Sequence, residues 1–181
     1  MTIDFAGCRV ALLDCCSLLN LYTSRRLTEV IDALPVPCAV ADAVVDEAIY
    51  VLRGGSGDDA SQREAVDLKP FIDSGHVRVW RPETNEEFES FVDFAAEIDD
   101  GEAATCALAV HRTGAVVTDD RKTQRVMARS ASRILVLSTS QTLKHWADSQ
   151  HLNEDTLRPV LRDIQERTRF VPGRHDPLLA W

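Results

Sequence analysis

The sequence predicts an α/β fold: a central parallel sheet of about five strands, covered by helices on both faces to make three layers. Two observations carry this. Short apolar runs of strand length recur along the chain, and segments with helical apolar spacing separate them. A third sets the scale: 181 residues, 45% hydrophobic and 27% charged, describe one ordinary globular domain.

Taken in order, Arg9 to Asp14 is a short apolar run that ends in an acid, as a buried strand would. Ser17 to Tyr22 reads as a helix start, and Arg26 to Leu34 continues with Leu27, Val30, Ile31 and Leu34 at helical spacing until Pro35 and Pro37 stop it. Cys38 to Val40 is a second strand. A helix carrying Val44, Val45, Ala48, Ile49 and Leu52 follows, then a flexible loop from Gly54 to Asp59. Ser61 to Ile72 reads as helix and His76 to Trp80 as an alternating strand. Phe88, Phe91, Val92 and Ala95 mark the next helix, interrupted by Asp99-Asp100-Gly101. An alanine-rich helix runs from Glu102 to Arg112, with Gly114 closing it. Ala115 to Thr118 is a strand closed by Asp119-Asp120, followed by a basic helix and the strand Ile134 to Leu137. Gln141 to Asp148 and Glu154 to Arg167 are the last helical stretches. Residues 1–148 are expected to form the main domain, and 149–181 a helical extension packed on it or on a partner.

Composition excludes disordered and low-complexity classes, and no apolar run approaches the roughly 20 residues that span a bilayer. The first residues lack a basic stretch followed by a long apolar one. The five cysteines form no CxxC pair and suit a reducing compartment. A cytoplasmic protein without membrane contact is expected.

The formal net charge is −9, and its distribution is uneven. Glu83 to Glu102 holds nine acids and no base, which is the whole excess. Arg121 to Arg133 holds five bases and no acid, and Arg158, Arg162, Arg167, Arg169 and Arg174 make a second basic run. Local patches of this kind can meet a polyanion despite the overall sign.

Several chemistries lack their motif. There is no GxGxxG after the first strand, no GxxxxGK[ST], no GxSxG, and no second aspartate in Asp14-Cys15-Cys16. Carboxylates remain. Asp14 and Asp119-Asp120 stand where strands end, with Glu47 and Glu102 in neighbouring helices, and α/β sheets bind ligands outside those strand ends. Acids gathered there repel one another unless a hard dication such as Mg²⁺ or Mn²⁺ joins them. Such ions suit attack on a phosphodiester. Asp100 and Glu102 also fit a plainer role as helix-start acids.

Four blocks together resemble the PIN domain: Val10-Ala-Leu-Leu-Asp14-Cys-Cys-Ser-Leu-Leu-Asn20-Leu, Val44-Val-Asp-Glu47-Ala, Asp99-Asp-Gly-Glu102 through Ala109, and Val116-Val-Thr-Asp-Asp120-Arg. They occur in order over roughly residues 8 to 140. The resemblance implies a Mg²⁺- or Mn²⁺-dependent endoribonuclease, commonly the toxin of a toxin–antitoxin pair and often a homodimer. The Gly-Glu102 block resembles a subgroup with Glu in place of Asp. By position Asp14 is a metal ligand, Glu47 the helix acid (Asp46 if the register shifts), Glu102 the third acid (Asp99 or Asp100 as substitutes) and Asp120 the fourth. Asp119 is a ligand or positions one. Cys16 departs from the usual Ser, Thr or Asn and is a poor Mg²⁺ partner, and Asn20 and Asp100 are candidates to support the ligands. Arg25, Arg26, Arg121, Lys122, Arg125 and the Gly54 to Asp59 loop are candidate RNA contacts. The basic helix equally suits pairing with the acidic segment. Leu157, Val160, Leu161 and Ile164 form a stripe that packs on the domain or a second subunit, or receives an antitoxin segment, and Pro172 to Trp181 reads as an extended tail. The rival expectations are a catalytically silent scaffold that binds protein or RNA, and a phosphatase on a similar sheet.

Overall fold

The computed structural model describes residues 3–54, 62–174 and 176. Along the chain come β1 (Val10–Leu13), α1 (Cys15–Thr23), α2 (Leu27–Asp32), β2 (Cys38–Ala41), α3 (Asp42–Glu47), β3 (Tyr50–Leu52), β4 (Arg63–Ala65), α4 (Lys69–Asp73), β5 (Val77–Trp80), α5 (Asn85–Ala95), α6 (Asp100–His111), β6 (Gly114–Val117), α7 (Arg121–Ser130), β7 (Val136–Leu137), α8 (Thr139–Ser149) and α9 (Glu154–Thr168). Five strands form one sheet in the order β5-β2-β1-β6-β7, every pairing parallel. The expected α/β/α layering is what the chain adopts.

Strands β1, β2 and β6 are buried at every residue, which is why they read as unbroken apolar runs rather than alternating ones. Helices α1, α2, α8 and α9 contact one another over the sheet, while α5 and α6 form the most closely associated helix pair. Helix α6 is buried almost all round because α5 covers its outer side. Its small residues Ala103, Ala104, Ala107 and Ala109 allow close approach to the strands. Gly114 is required for the same reason, since a Cβ there would come within 2.6 Å of Leu12 Cδ1. Leu157, Val160 and Ile164 of α9 enter the same core cluster as the strands.

Two expected helices are replaced. The helix expected to continue through Ile49 and Leu52 ends at Glu47, and residues 50–52 pair antiparallel with 63–65 as a separate two-stranded ribbon. The Ile-Tyr-Val run favours a strand. Within the ribbon the Arg63 guanidinium lies 3.9 Å from the Tyr50 ring centroid, and from outside Arg167 of α9 donates to Leu52 O and to Glu64 at 3.1 and 2.8 Å. The helix expected from Ser61 to Ile72 shrinks to α4, where Pro70 in the first turn cannot sit within a longer helix. Residues 55–61 and 177–181, including most of the expected loop and the end of the expected tail, lie outside the described residues.

Candidate active site

The strand order places the site. From β1 the chain builds outward to β2 and β5, then returns to the other side of β1 for β6 and β7. The reversal opens a crevice at the carboxyl ends of β1 and β6, the point where such sheets bind ligands. Asp14 follows β1 and donates its N–H to Val117 O at 3.1 Å, so it sits directly beside the 118–120 turn that follows β6.

Each of these strand ends is also a helix start. Asp14 Oδ1 accepts from Ser17 N at 2.7 Å and caps α1. Its Oδ2 is buried with no hydrogen-bond partner, although the residue is only 1% exposed. Burial pushes the Asp14 carboxyl up to about 7, against the opposing pull of Thr118 and Ser17, and the nearby Asp119 charge adds to the rise. Asp120 caps α7, accepting from Lys122 N and Thr123 N at 2.7 Å each.

Asp119 is held differently. Its Oδ1 accepts from Thr139 N at 3.0 Å, and its Oδ2 from the Thr139 hydroxyl and from Asn20 Nδ2 at 3.1 Å. Burial raises its pKa and these bonds oppose the rise. Glu102 lies in the first turn of α6 and Glu47 at the end of α3. Burial pushes both carboxyls up. The charges of Asp120 and Asp99 add to this at Glu102, and those of Asp99 and Asp100 at Glu47. Glu47 Oε1 accepts from Gly101 N at 3.2 Å, and a Cβ at Gly101 would meet both Glu47 carboxylate oxygens at 2.6 Å. The glycine is what lets Glu47 sit over the start of α6. Cys16 is exposed at the edge of the acids, and partial desolvation together with the charges of Asp14, Asp119 and Glu102 pushes its thiol up.

Asp14, Glu47, Asp100, Glu102, Asp119, Asp120, Cys16 and Asn20 therefore gather around one end of the sheet, as a chain of neighbours rather than a cage. Among the described residues, no three His, Cys, Asp or Glu side chains group closely enough to hold a metal ion as they stand. Oxygen donors nevertheless suit a hard dication, and Mg²⁺ commonly takes one or two carboxylates and keeps waters in its other positions. The unpartnered Asp14 Oδ2 is the donor that fits such an ion best.

Arg121, Lys122 and Arg125 begin α7 next to this crevice. Arg25 and Arg26 are not brought there. They follow the far end of the nine-residue α1, about 14 Å from its start, and are engaged with Asp163 at 3.3 Å and Glu29 at 2.6 Å. Of the pairing expected between the basic helix and the acidic segment, the described residues contain the Arg129–Glu97 contact at 2.5 Å. Thr139, Thr118, Ser17 and Thr123 belong to the site and went unnoticed in the sequence. Only Ser138-Thr139-Ser140-Gln141, a capping-box pattern directly after a strand, marked that end of β7.

A family model described as PIN domain (DUF3368) matches residues 10–174. Comparison with curated proteins and with solved structures gives no match.

Proposed function

The chain belongs to the PIN-domain family, whose members are generally nucleases and typically use divalent metals, and on that premise we propose that it is a metal-dependent endoribonuclease hydrolysing RNA phosphodiester bonds. One observation carries the reading: a carboxylate oxygen, Asp14 Oδ2, buried without a partner at the topological switch of the sheet. Leaving a charged acceptor in that state costs stability, and a bound cation is the simplest compensation. Glu102, Asp120 and Glu47 complete the acidic rim, and Asp119 is positioned by Asn20 and Thr139. When bound, Mg²⁺ or Mn²⁺ supplies charge neutralisation at phosphate and activation of water. Asp14 and Glu102 would hold the ion, and Arg121, Lys122 and Arg125 would attract the RNA backbone.

The same family reading extends to biology. We assign the protein the role of toxin in a toxin–antitoxin pair, acting as a homodimer in the cytoplasm and silenced by a cognate antitoxin. No helix among the described residues is long and apolar enough to cross a membrane. A small gene adjoining this one, whose product binds the protein and blocks cleavage, is the expected finding.

RNA digestion in Mg²⁺, Mn²⁺ and excess EDTA, with calorimetric Mn²⁺ titration of the wild type and Asp14→Asn, tests the proposal. Equal cleavage by Asp14→Asn, or in EDTA, sinks it. The absence of a ready three-ligand group among the described residues favours a second reading, a catalytically silent scaffold. That reading expects no heat of Mn²⁺ binding and intact RNA.

A further inference from the structure

Helix α5 packs its inner side on α6 and leaves an apolar ridge on its outer side. Phe94 is buried, and Phe91 and Ala95 pack half-buried against the core. Phe88 and Val92 stand one turn apart and stay 51% and 64% exposed, with Ala96 continuing the line into solvent. Apolar side chains exposed singly are ordinary, but these join Phe91 and Ala95 in one continuous strip along the helix. One edge of the strip is acidic. Glu89 and Asp93 follow Phe88 and Val92 by one residue, which places them roughly 100° further round the helix, and both are exposed. They belong to the segment Glu83 to Glu102, with its nine acids and no base. Arg112 and Arg129 reach Glu83, Glu87 and Glu97 of that segment, and among the described residues no base pairs with Glu89 or Asp93.

We propose that this strip is a docking surface for a basic amphipathic helix of a partner protein, with apolar residues one turn apart over Phe88 and Val92 and lysines or arginines beside Glu89 and Asp93. A helix laid on a helix anchors through residues at i and i+4, the spacing that the ridge offers. Charge decides the occupant. A two-fold dimer sets the same strip against itself, and with no base in the segment its acids meet either their own copies or the apolar flank. A basic partner matches both the strip and its acidic edge. The proposal stands on the α5 surface alone and does not rest on the ribonuclease reading.

The test is fluorescence anisotropy of two labelled helical peptides, each with leucines on one face and with either lysines or glutamates elsewhere, titrated with the full-length protein. The lysine peptide is expected to bind, and the glutamate peptide to bind at least about tenfold more weakly. Phe88→Ser combined with Val92→Ser is expected to weaken the lysine peptide at least about tenfold. Its melting temperature is expected to stay near that of the wild type, because both side chains already stand mostly in water. Glu89→Lys combined with Asp93→Lys is expected to exchange the order of the two peptides. A lysine peptide that does not bind, or that binds the serine variant as it binds the wild type, overturns the docking surface. Equal affinity for both peptides overturns the basic partner. Sedimentation that shows a dimer dissociated by the serine substitutions gives the strip to a second copy, and this too overturns the proposal.

Discussion

Two buried carboxylates in this protein are treated in opposite ways. Glu87 in α5 is 3% exposed and fully engaged: Arg112 Nε and Nη2 donate to it at 2.7 and 3.0 Å, and the N–H groups of Glu83 and Thr84 at 2.7 and 3.3 Å. The Arg112 bonds hold its carboxyl down to about 2. Asp14 lies deeper, its one close hydrogen bond comes from Ser17 N, and burial pushes its carboxyl up to about 7 against the weaker pull of Thr118 and Ser17. Both side chains are shielded from water, but desolvation is the leading influence on Asp14 and at Glu87 it is outweighed by the Arg112 bonds. Satisfaction separates a structural acid from a functional one, because a native fold rarely leaves a buried acceptor unmatched without a use for it.

The largest expected effect is on the unsatisfied side. Asp14→Asn is expected to lower metal-dependent RNA cleavage by roughly two to three orders of magnitude, the scale for losing one preorganised electrostatic group, read in a gel assay. The same substitution is expected to stabilise the EDTA-treated protein. The folded pKa of about 7 lies above the ordinary 3.8, so the wild type loses stability as pH rises between those values, and asparagine does not. The gain is near zero at pH 4 and up to ~4 kcal/mol at pH 8, measured by urea unfolding. A constant difference across that range breaks the contrast.

Glu87→Ala is expected to do the opposite, costing about 1–3 kcal/mol because the Glu83 and Thr84 N–H groups lose their acceptor and Arg112 keeps only Arg81 O and Glu83, while leaving cleavage unchanged. The Glu87 contribution is present above the ordinary pKa of 4.5 and fades as pH falls toward 2, so the two variants' unfolding curves diverge at opposite ends of the pH range. Mn²⁺ at about 100 times its dissociation constant is expected to stabilise the wild type by ~2.7 kcal/mol and Asp14→Asn by far less, as read from melting temperatures. The smallest effect belongs to the exposed Arg129–Glu97 pair, where Arg129→Ala is expected to change stability by under about 1 kcal/mol.

The strands were legible because buried parallel strands are continuous apolar runs, and Asp14, Asp119 and Asp120 were legible because they end two of them. The helix spacing of Val44, Val45, Ala48 and Leu52 misled. Apolar residues at those intervals also fit a short helix followed by a half-buried strand, and only pairing with residues 63–65 decides between them. Arg25 and Arg26 look like an RNA-binding pair in sequence, yet Asp163, distant along the chain, is what occupies Arg25.

By itself the sequence determined the alternation of elements, the acids at strand ends and the glycine at 101, because these follow from local periodicity and from which residue can stand where. The tertiary structure alone decided the strand order that sets β1 beside β6, the Thr139 and Asn20 bonds that satisfy Asp119, and the unmatched oxygen of Asp14. Hydrogen-bond satisfaction is a property of what surrounds a group in space, and residues such as 20, 119 and 139 meet only after the sheet has closed.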